Sequence, residues 1–364
     1  MLKKYFKIYL NLALIIFVLP CIAQEKLELK NADVMKGSTT PKGNMIIANG
    51  NVFFIQGDLK MFCQRVTWYK DHHETIFEQH VKFDDGEKLL TADKIFYNDL
   101  TRITRAIGNV VVIDSLRKIN ADKTIYYENK ELIIADDNVV ITDNENEVIL
   151  TGQHSEYWRN KEYASITGDP VLIKKDSSGQ EEIRVTGNHM ELFAGGEHTV
   201  ITDSVRITHN KGKSKCNRAE YFKSDNRLLL LEEPLVWQNR DRMSGDEIEL
   251  YFENRKLNKV IITGQALVTS PADTTVEDSR FNRLVGEKIT LLIKNNVLNE
   301  VLVEGRATCY YHILEKGEYK GVNKIIGDKI TMNINDSKIN KIIIESDPES
   351  SSGIYYPPGK EPEL

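Results

Sequence analysis

The sequence predicts an all-β repeat protein, and three observations carry that prediction. A short residue pattern recurs along almost the whole chain. The segments between its copies are short, rich in β-branched residues and bounded by Gly, Asn, Asp and Pro, which is strand and turn chemistry. Apolar residues at three-and-four spacing, which a helix would need over ten or more positions, are missing after the first 23 residues.

The recurring pattern is a small residue, then a polar one, with further side chains of one parity three and five positions after the small one. Cys63-Gln64 leads to Val66 and Trp68, Ala92-Asp93 to Ile95 and Tyr97, and Ala121-Asp122 to Thr124 and Tyr126. Gly152-Gln153 leads to Ser155 and Tyr157, Gly187-Asn188 to Met190 and Leu192, and Cys216-Asn217 to Ala219 and Tyr221. Gly245-Asp246 leads to Ile248 and Leu250, Gly286-Glu287 to Ile289 and Leu291, and Gly327-Asp328 to Ile330 and Met332. Ala32-Asp33-Val34-Met35 reads as a partial first copy, so there are about nine full units. From Ala32 the spacings are 31, 29, 29, 31, 35, 29, 29, 41 and 41. Such a period means stacked supersecondary units rather than one globular topology. The two longest spacings place insertions near 271–284 and 312–325, as loops or extended hairpins.

Each unit holds two more apolar segments. One follows a turn, as in Asn51-Val52-Phe53-Phe54, Asn109-Val110-Val111-Val112, Asn138-Val139-Val140-Ile141, Pro170-Val171-Leu172-Ile173 and Ser204-Val205-Arg206-Ile207. The other precedes the next turn, as in Leu132–Ala135, Leu228–Leu231, Val260–Ile262, Val301–Val303 and Ile342–Ile344. In a strand alternate side chains share a face, so Thr124 and Tyr126 lie on one side and Lys123 and Ile125 on the other. Repeating that parity in every unit stacks one face into a continuous apolar stripe. Tyr97, Tyr126, Tyr157 and Tyr221 recur at one position, on an interior face or as an outward ladder. The small anchor marks a bend between sheets, where a large side chain would clash.

The N-terminus gives the compartment. Lys3, Lys4 and Lys7 precede the apolar run Ile8–Leu19, and Cys21-Ile22-Ala23 supplies a small-residue cleavage site. This is the pattern of a secretory signal peptide, residues 1–23. The run is shorter than the roughly 20 residues a membrane-spanning helix needs. Cys21 would be the acylated residue if the signal were of lipoprotein type, although Pro20 stands where such signals carry a small residue. The formal net charge of −6 becomes −9 once the three lysines are removed. An acidic chain argues against nucleic acid as a partner. Cys63, Cys216 and Cys309 remain, an odd number that does not make a disulfide framework, and they read as small buried thiols. Residues 24–346 form the repeat body, and 347–364, with Ser350-Ser351-Ser352 and Pro357-Pro358, read as a flexible tail.

The pattern of Gly108-Asn109-Val110-Val111-Val112 followed by Ala121-Asp122-Lys123-Thr124-Ile125-Tyr126, with Leu90-Thr91-Ala92-Asp93-Lys94-Ile95-Phe96-Tyr97 nearly as good, resembles the OstA-like family. That family includes LptA, LptC and the N-terminal part of LptD. The resemblance runs from about Leu27 to Ser346. It implies a β-jellyroll of stacked short strands, with two facing sheets around an apolar groove. It implies a lipid-binding bridge in the periplasm that carries lipopolysaccharide, or its lipid A part, toward the outer membrane with acyl chains shielded. Partners would be LptC- and LptD-type proteins, joined end to end by strand addition. From Gly152 on, the Ala-Asp pair gives way to Gly-Gln, Gly-Asn and Cys-Asn, and the chain is longer than a minimal bridging unit.

On this reading the candidate groove residues are Val66, Ile95, Val110, Val112, Val139, Ile141, Val171, Ile173, Met190, Ile248 and Ile289. The candidate assembly edges are Ile342, Ile343 and Ile344 at one end and Ile46 and Ile47 at the other, with Leu27–Leu29 placed to cover the latter. Asp71-His72-His73-Glu74 with His80 reads as a solvated turn rather than a metal site, because adjacent side chains diverge. No nucleophile-elbow, zincin or phosphate-loop motif occurs. The sequence therefore predicts no catalytic residues, no cofactor and a non-enzymatic role. The competing reading is a β-helical carbohydrate-binding or carbohydrate-active envelope protein, which would want acids, Arg and aromatics clustered on one outer face.

Overall fold

In a computed structural model, residues 25–362 are described apart from 42, 115–116, 144–146, 210–211, 255, 274–279, 316, 336–337 and 348–349. The signal peptide expected at 1–23, with Cys21, lies outside the described residues. The described chain is an antiparallel β structure of 26 strands, with four one-turn 3-10 segments at hairpin ends and no α-helix.

The strands form one folded sheet. Most are long, like Gly43–Gln56 and Leu59–Tyr69, and their pairing register breaks near the middle, between Asn49 and Val52 and between Phe62 and Arg65. Every later pass bends at the matching point. The pieces on one side of the bend pair only with each other, and so do the pieces on the other. The result is two half-sheets, A and B, joined along a crease. Some passes are split into two strands there, as Tyr163–Thr167 in A and Val171–Lys175 in B. The described residues make twenty passes, each adding one strand to each half-sheet. Nineteen steps at about 4.8 Å each give a stack on the order of 90 Å long.

The sequence motif is the chemistry of this crease. Nine passes that run from A to B bend at two consecutive left-handed residues, six at Gly50-Asn51, Gly108-Asn109, Asp137-Asn138, Gly168-Asp169, Gly264-Gln265 and Gly305-Arg306, and three at Gln79-His80, Asp203-Ser204 and Glu232-Glu233. Gly, Asn and Asp tolerate that backbone best. Passes that run from B to A bend at the small anchor, and the polar residue after it clamps the neighbouring bend. Asn51 Nδ2 donates to Asp33 Oδ1 at 3.2 Å, Asn109 Nδ2 to Asp93 Oδ2 at 2.9 Å, and Asn138 Nδ2 to Asp122 Oδ2 at 2.7 Å. At the last unit Ser346 Oγ and the Asp347 amide replace the Asn, both donating to Asp328 Oδ2 at 3.0 Å.

The two insertions lengthen hairpins. Lys256–Pro271 pairs with Phe281–Lys294, and Val297–Glu315 with Glu318–Asn335. Residues 347–364, expected to be a flexible tail, contribute a strand instead: Ser352–Tyr356 pairs with Val322–Ile326 and forms the last strand of half-sheet B. Its β-compatible run Gly353-Ile354-Tyr355-Tyr356 is short, and the flanking serines and prolines hide it. Cys63, Cys216 and Cys309 are buried and free.

Candidate functional site: the interior between the half-sheets

Opposed residues line the interior in continuous rows. In half-sheet A the row nearest the crease runs Ala48, Val66, Phe77, Ile95, Ala106, Thr124, Ala135, Ser155, Ile166, Met190 and on through Ile201, Ala219, Leu230, Ile248, Ile262, Ile289, Val303 and Ile330 to Ile344. Each is the direct register partner of the next. All are buried except Ile344, on the terminal strand. The next row outward contains Tyr97, Tyr126, Tyr157 and Tyr221, which are therefore interior and not an outward ladder.

Half-sheet B answers with Phe54, Met61, Phe83, Leu90, Val112, Ile119, Ile141, Leu150, Leu172 and Val185, again direct partners in sequence. The two halves touch. Phe54 of B meets Trp68 and Phe77 of A at ring separations of 5.4 and 5.5 Å, and Phe83 of B meets Phe77 and Tyr97 at 4.9 and 6.1 Å. Tyr97 donates its hydroxyl to Gln56 Oε1 across the gap at 2.6 Å. Burial pushes the Tyr97 phenol up to about 12, so it stays a donor. The N-terminal interior is thus filled with aromatic side chains, and beyond Ala121 the filling is mostly aliphatic.

The sequence-predicted residues fall into three groups. Val66, Ile95, Met190, Ile248 and Ile289 share the single row of half-sheet A. Val110 and Val139 are buried beside the crease, and Val112 and Ile141 are half-buried on the facing row of B. Val171 and Ile173 are a correction. Their neighbour Leu172 is the one that packs into the core, as the partner of Leu150 and Val185, so Val171 and Ile173 face outward. The reason is local: Gly168-Asp169 forms the left-handed bend, and buried Pro170 takes the place of the first valine of other units. The parity of Val171–Ile173 shifts by one residue.

The edges also need a correction. Ile46 and Ile47 are not at an open edge, because Val34–Thr40 pairs with them through Gly37 and Lys36. That strand, with its Lys-Gly-Ser-Thr-Thr run, lacks the alternation that would announce it. It is the true first strand of half-sheet A, and Val34 and Met35 are exposed on it at 52% and 60%. Leu29 covers Phe54 in half-sheet B. At the other end, Lys338–Glu345, with Ile342, Ile343 and Ile344, pairs on one side only among the described residues.

One cluster was missed by sequence reasoning. Tyr163, Phe193, His198 and Phe222 stack as a ladder on the outer face of half-sheet A, beside Glu191, Glu220 and Glu249. Phe193 and His198 lie nearly parallel, as do His198 and Phe222, with Arg227 over the Phe222 ring at 4.4 Å. Tyr163 donates to Glu191 Oε1 at 2.7 Å, and His198 Nε2 is 3.0 Å from Glu220. Ring faces and carboxylates are largely occupied by one another, which is cross-strand stabilisation. At the turn expected to be solvated, His73 Nδ1 lies 3.0 Å from Asp99, and the described residues contain no group of three metal-ligating side chains.

The family described as LptA/(LptD N-terminal domain) LPS transport protein matches residues 31–132 and again 89–256. The chain belongs to this family. The two matches start 58 residues apart, which is two of the 29-residue periods, so the LptA/LptD N-terminal pattern fits the repeat in more than one register. Among solved structures the chain is similar to LptH, the LptA homologous periplasmic component of the conserved lipopolysaccharide transport device from Pseudomonas aeruginosa. Identity is 15% over 40% of this chain and 95% of that one, with a TM-score of 0.31. No curated protein matches the chain.

Proposed function

We propose that this member of the LptA/LptD N-terminal family is a non-enzymatic periplasmic bridge component that carries lipopolysaccharide with its acyl chains between the two half-sheets. The observation that carries the reading is the pair of facing rows, apolar over nearly their whole length and continuous from the first passes to the last. Among the described residues, strand pairing joins the half-sheets only along the crease. The opposite side is closed by side-chain contact alone, so the halves part there to admit a chain. Each methylene moved from water into such an interior gains about 0.8 kcal/mol. No single polar residue is needed to hold it.

The ends support assembly in series. The first pass runs from B to A, through Glu28–Asn31 and then Val34–Thr40. The last runs from A to B, through Lys338–Glu345 and then Ser352–Tyr356. Abutting the last pass of one such molecule on the first pass of another gives antiparallel neighbours in both half-sheets and extends both interior rows. Partners of LptC or LptD type would join by this strand addition.

The test is photo-crosslinking in cells. Probes at Ile95 and Ile141, which face inward, should capture lipopolysaccharide, while probes at Lys94, Lys123 and Ile173, which face outward, should not. Equal labelling of both sets would refute an interior lipid path.

A further inference from the structure

The outer face of half-sheet B carries a file of cations that an apolar interior does not explain. From the outward-facing Ile173, direct register partners bring Arg184, Lys213, Arg242, Arg283 and Lys324 into one line, on every second strand. The strands between them place Thr208, Trp237, Thr269 and Tyr310 in the same line. Passes that run from B to A thus supply the charges, and the intervening passes supply hydroxyls and rings. Neighbouring strands lie about 4.8 Å apart, so the charges stand about 10 Å apart along roughly 40 Å. Arg206 and Lys215, partners of each other, flank the file on its crease side.

No carboxylate stands in this file, nor in the row beside it from Thr186 to Ile326. The chain as a whole has a formal net charge of −6, and over the same passes the outer face of half-sheet A carries Glu191, Glu220, Glu249 and Glu300. Charge is therefore segregated between the two outer faces. Lys213 and Arg242 are exposed, and among the described residues neither they nor Arg283 meet a carboxylate. The Arg283 Nε is buried without a hydrogen-bond partner among those residues. At the ends of the file, Arg184 pairs with Glu181 at 2.6 Å and Lys324 lies over the Tyr310 ring at 5.5 Å.

Charges so far apart cannot converge on one small anion, because an ion pair closes at about 4 Å. Strand twist turns the file around the stack, so a flat lipid surface meets only part of it. A flexible linear polyanion follows all of it. The phosphates of a nucleic acid strand are spaced more closely than these cations. We propose that the file binds an extended anionic polysaccharide with one acidic group per disaccharide. The disaccharide of an extended β-1,4-linked glycan has a length of the same order as two strand spacings. Each acidic group then meets one Lys or Arg, and the sugar between lies on the next strand. There the Trp237 and Tyr310 rings offer apolar surface to pyranose C–H groups, and the Thr208 and Thr269 hydroxyls exchange hydrogen bonds with sugar hydroxyls. The site lies outside the interior and does not depend on lipid carriage.

The experiment is titration of the full mature chain with an end-labelled hyaluronan decasaccharide, which carries one carboxylate per disaccharide, read by fluorescence anisotropy at low ionic strength. Binding is expected, and it should fade as salt is added. A neutral chitin oligosaccharide should not bind, and polyglutamate with the same number of carboxylates should bind more weakly. Lys213→Gln combined with Arg242→Gln should weaken hyaluronan binding on the order of tenfold, with the fold checked by thermal melting. Lys259→Gln combined with Lys288→Gln, on the outer face of half-sheet A, should leave it unchanged. Absence of binding, equal binding of the neutral glycan, or undiminished binding by the folded Lys213/Arg242 variant overturns the site. Preference for polyglutamate or for phosphatidylglycerol vesicles over the glycan overturns it as well, and assigns the cations to an acidic peptide or a lipid surface.

Discussion

A Cβ placed on Gly152 would lie 2.6 Å from Cγ1 of Ile166 and 2.9 Å from the Thr167 carbonyl oxygen. The same contact recurs at Gly187 with Ile201, Gly245 with Ile262, Gly286 with Val303 and Gly327 with Ile344, at 2.5–2.7 Å. In each pair a β-branched side chain of half-sheet A fills the space where the anchor would carry its Cβ. At the equivalent positions of other units the anchor is larger and its counterpart is not β-branched: Ala92 with Ala106, Ala121 with Ala135, Cys63 with Phe77 and Cys216 with Leu230. The drift from Ala to Gly along the chain is therefore a packing exchange across the crease.

Gly152→Ala should destabilise the protein by about 1–3 kcal/mol, the range for overpacking a filled interior. Combined with Ile166→Ala, the loss should be smaller than the sum of the two single losses, because the second change removes the clash. Urea unfolding of the four proteins measures this coupling. Strict additivity would show that the contact is relieved elsewhere.

Tyr97→Phe should lower stability by about 1–2 kcal/mol through the stranded Gln56 carbonyl oxygen, with little change in packing. Denaturant unfolding followed by Trp68 fluorescence reads the N-terminal section. An unchanged midpoint would mean that Gln56 finds another donor.

The three buried thiols should be unreactive in the native protein. Burial raises Cys63 and Cys309 to about 12 and Cys216 to about 11, so little of the nucleophilic thiolate exists at pH 8. Mass spectrometry after iodoacetamide treatment should find Cys63, Cys216 and Cys309 unmodified in buffer and all three modified in urea. Native labelling of Cys309 would show that the interior opens at the C-terminal end without a partner.

Ile343→Pro should weaken capture of a second OstA-like subunit several-fold while leaving most of the stack folded. Proline removes a backbone donor from a strand paired on one side only, and units couple mainly to their neighbours. A pull-down with folding checked by circular dichroism decides it. Undiminished capture by a folded variant would move the contact to the other end or to half-sheet B.

Much of this architecture is legible before any coordinates. The anchor pattern and the period locate the B-to-A bends, and strand parity puts Ile95, Met190, Ile248 and Ile289 on one face. Legibility fails where one residue changes the count. Pro170 occupies a valine position, and Val171 and Ile173 turn outward because side-chain direction in a strand has a period of two. The first strand of half-sheet A is hidden by its polar composition, which made Ile46 and Ile47 look like an edge. The strand Ser352–Tyr356 is hidden by the serines and prolines around it.

The sequence by itself determines that the chain is a stack of bent β passes, because alternation, turn residues and a repeated small anchor are local properties written in each unit. Only the tertiary structure decides what the repeats do to one another. It sets Asp93 against Asn109, Gly152 against Ile166, and Tyr97 against Gln56. These pairs are 14 to 41 residues apart in sequence. Their partners are chosen by strand register and by the fold at the crease, which no local pattern specifies.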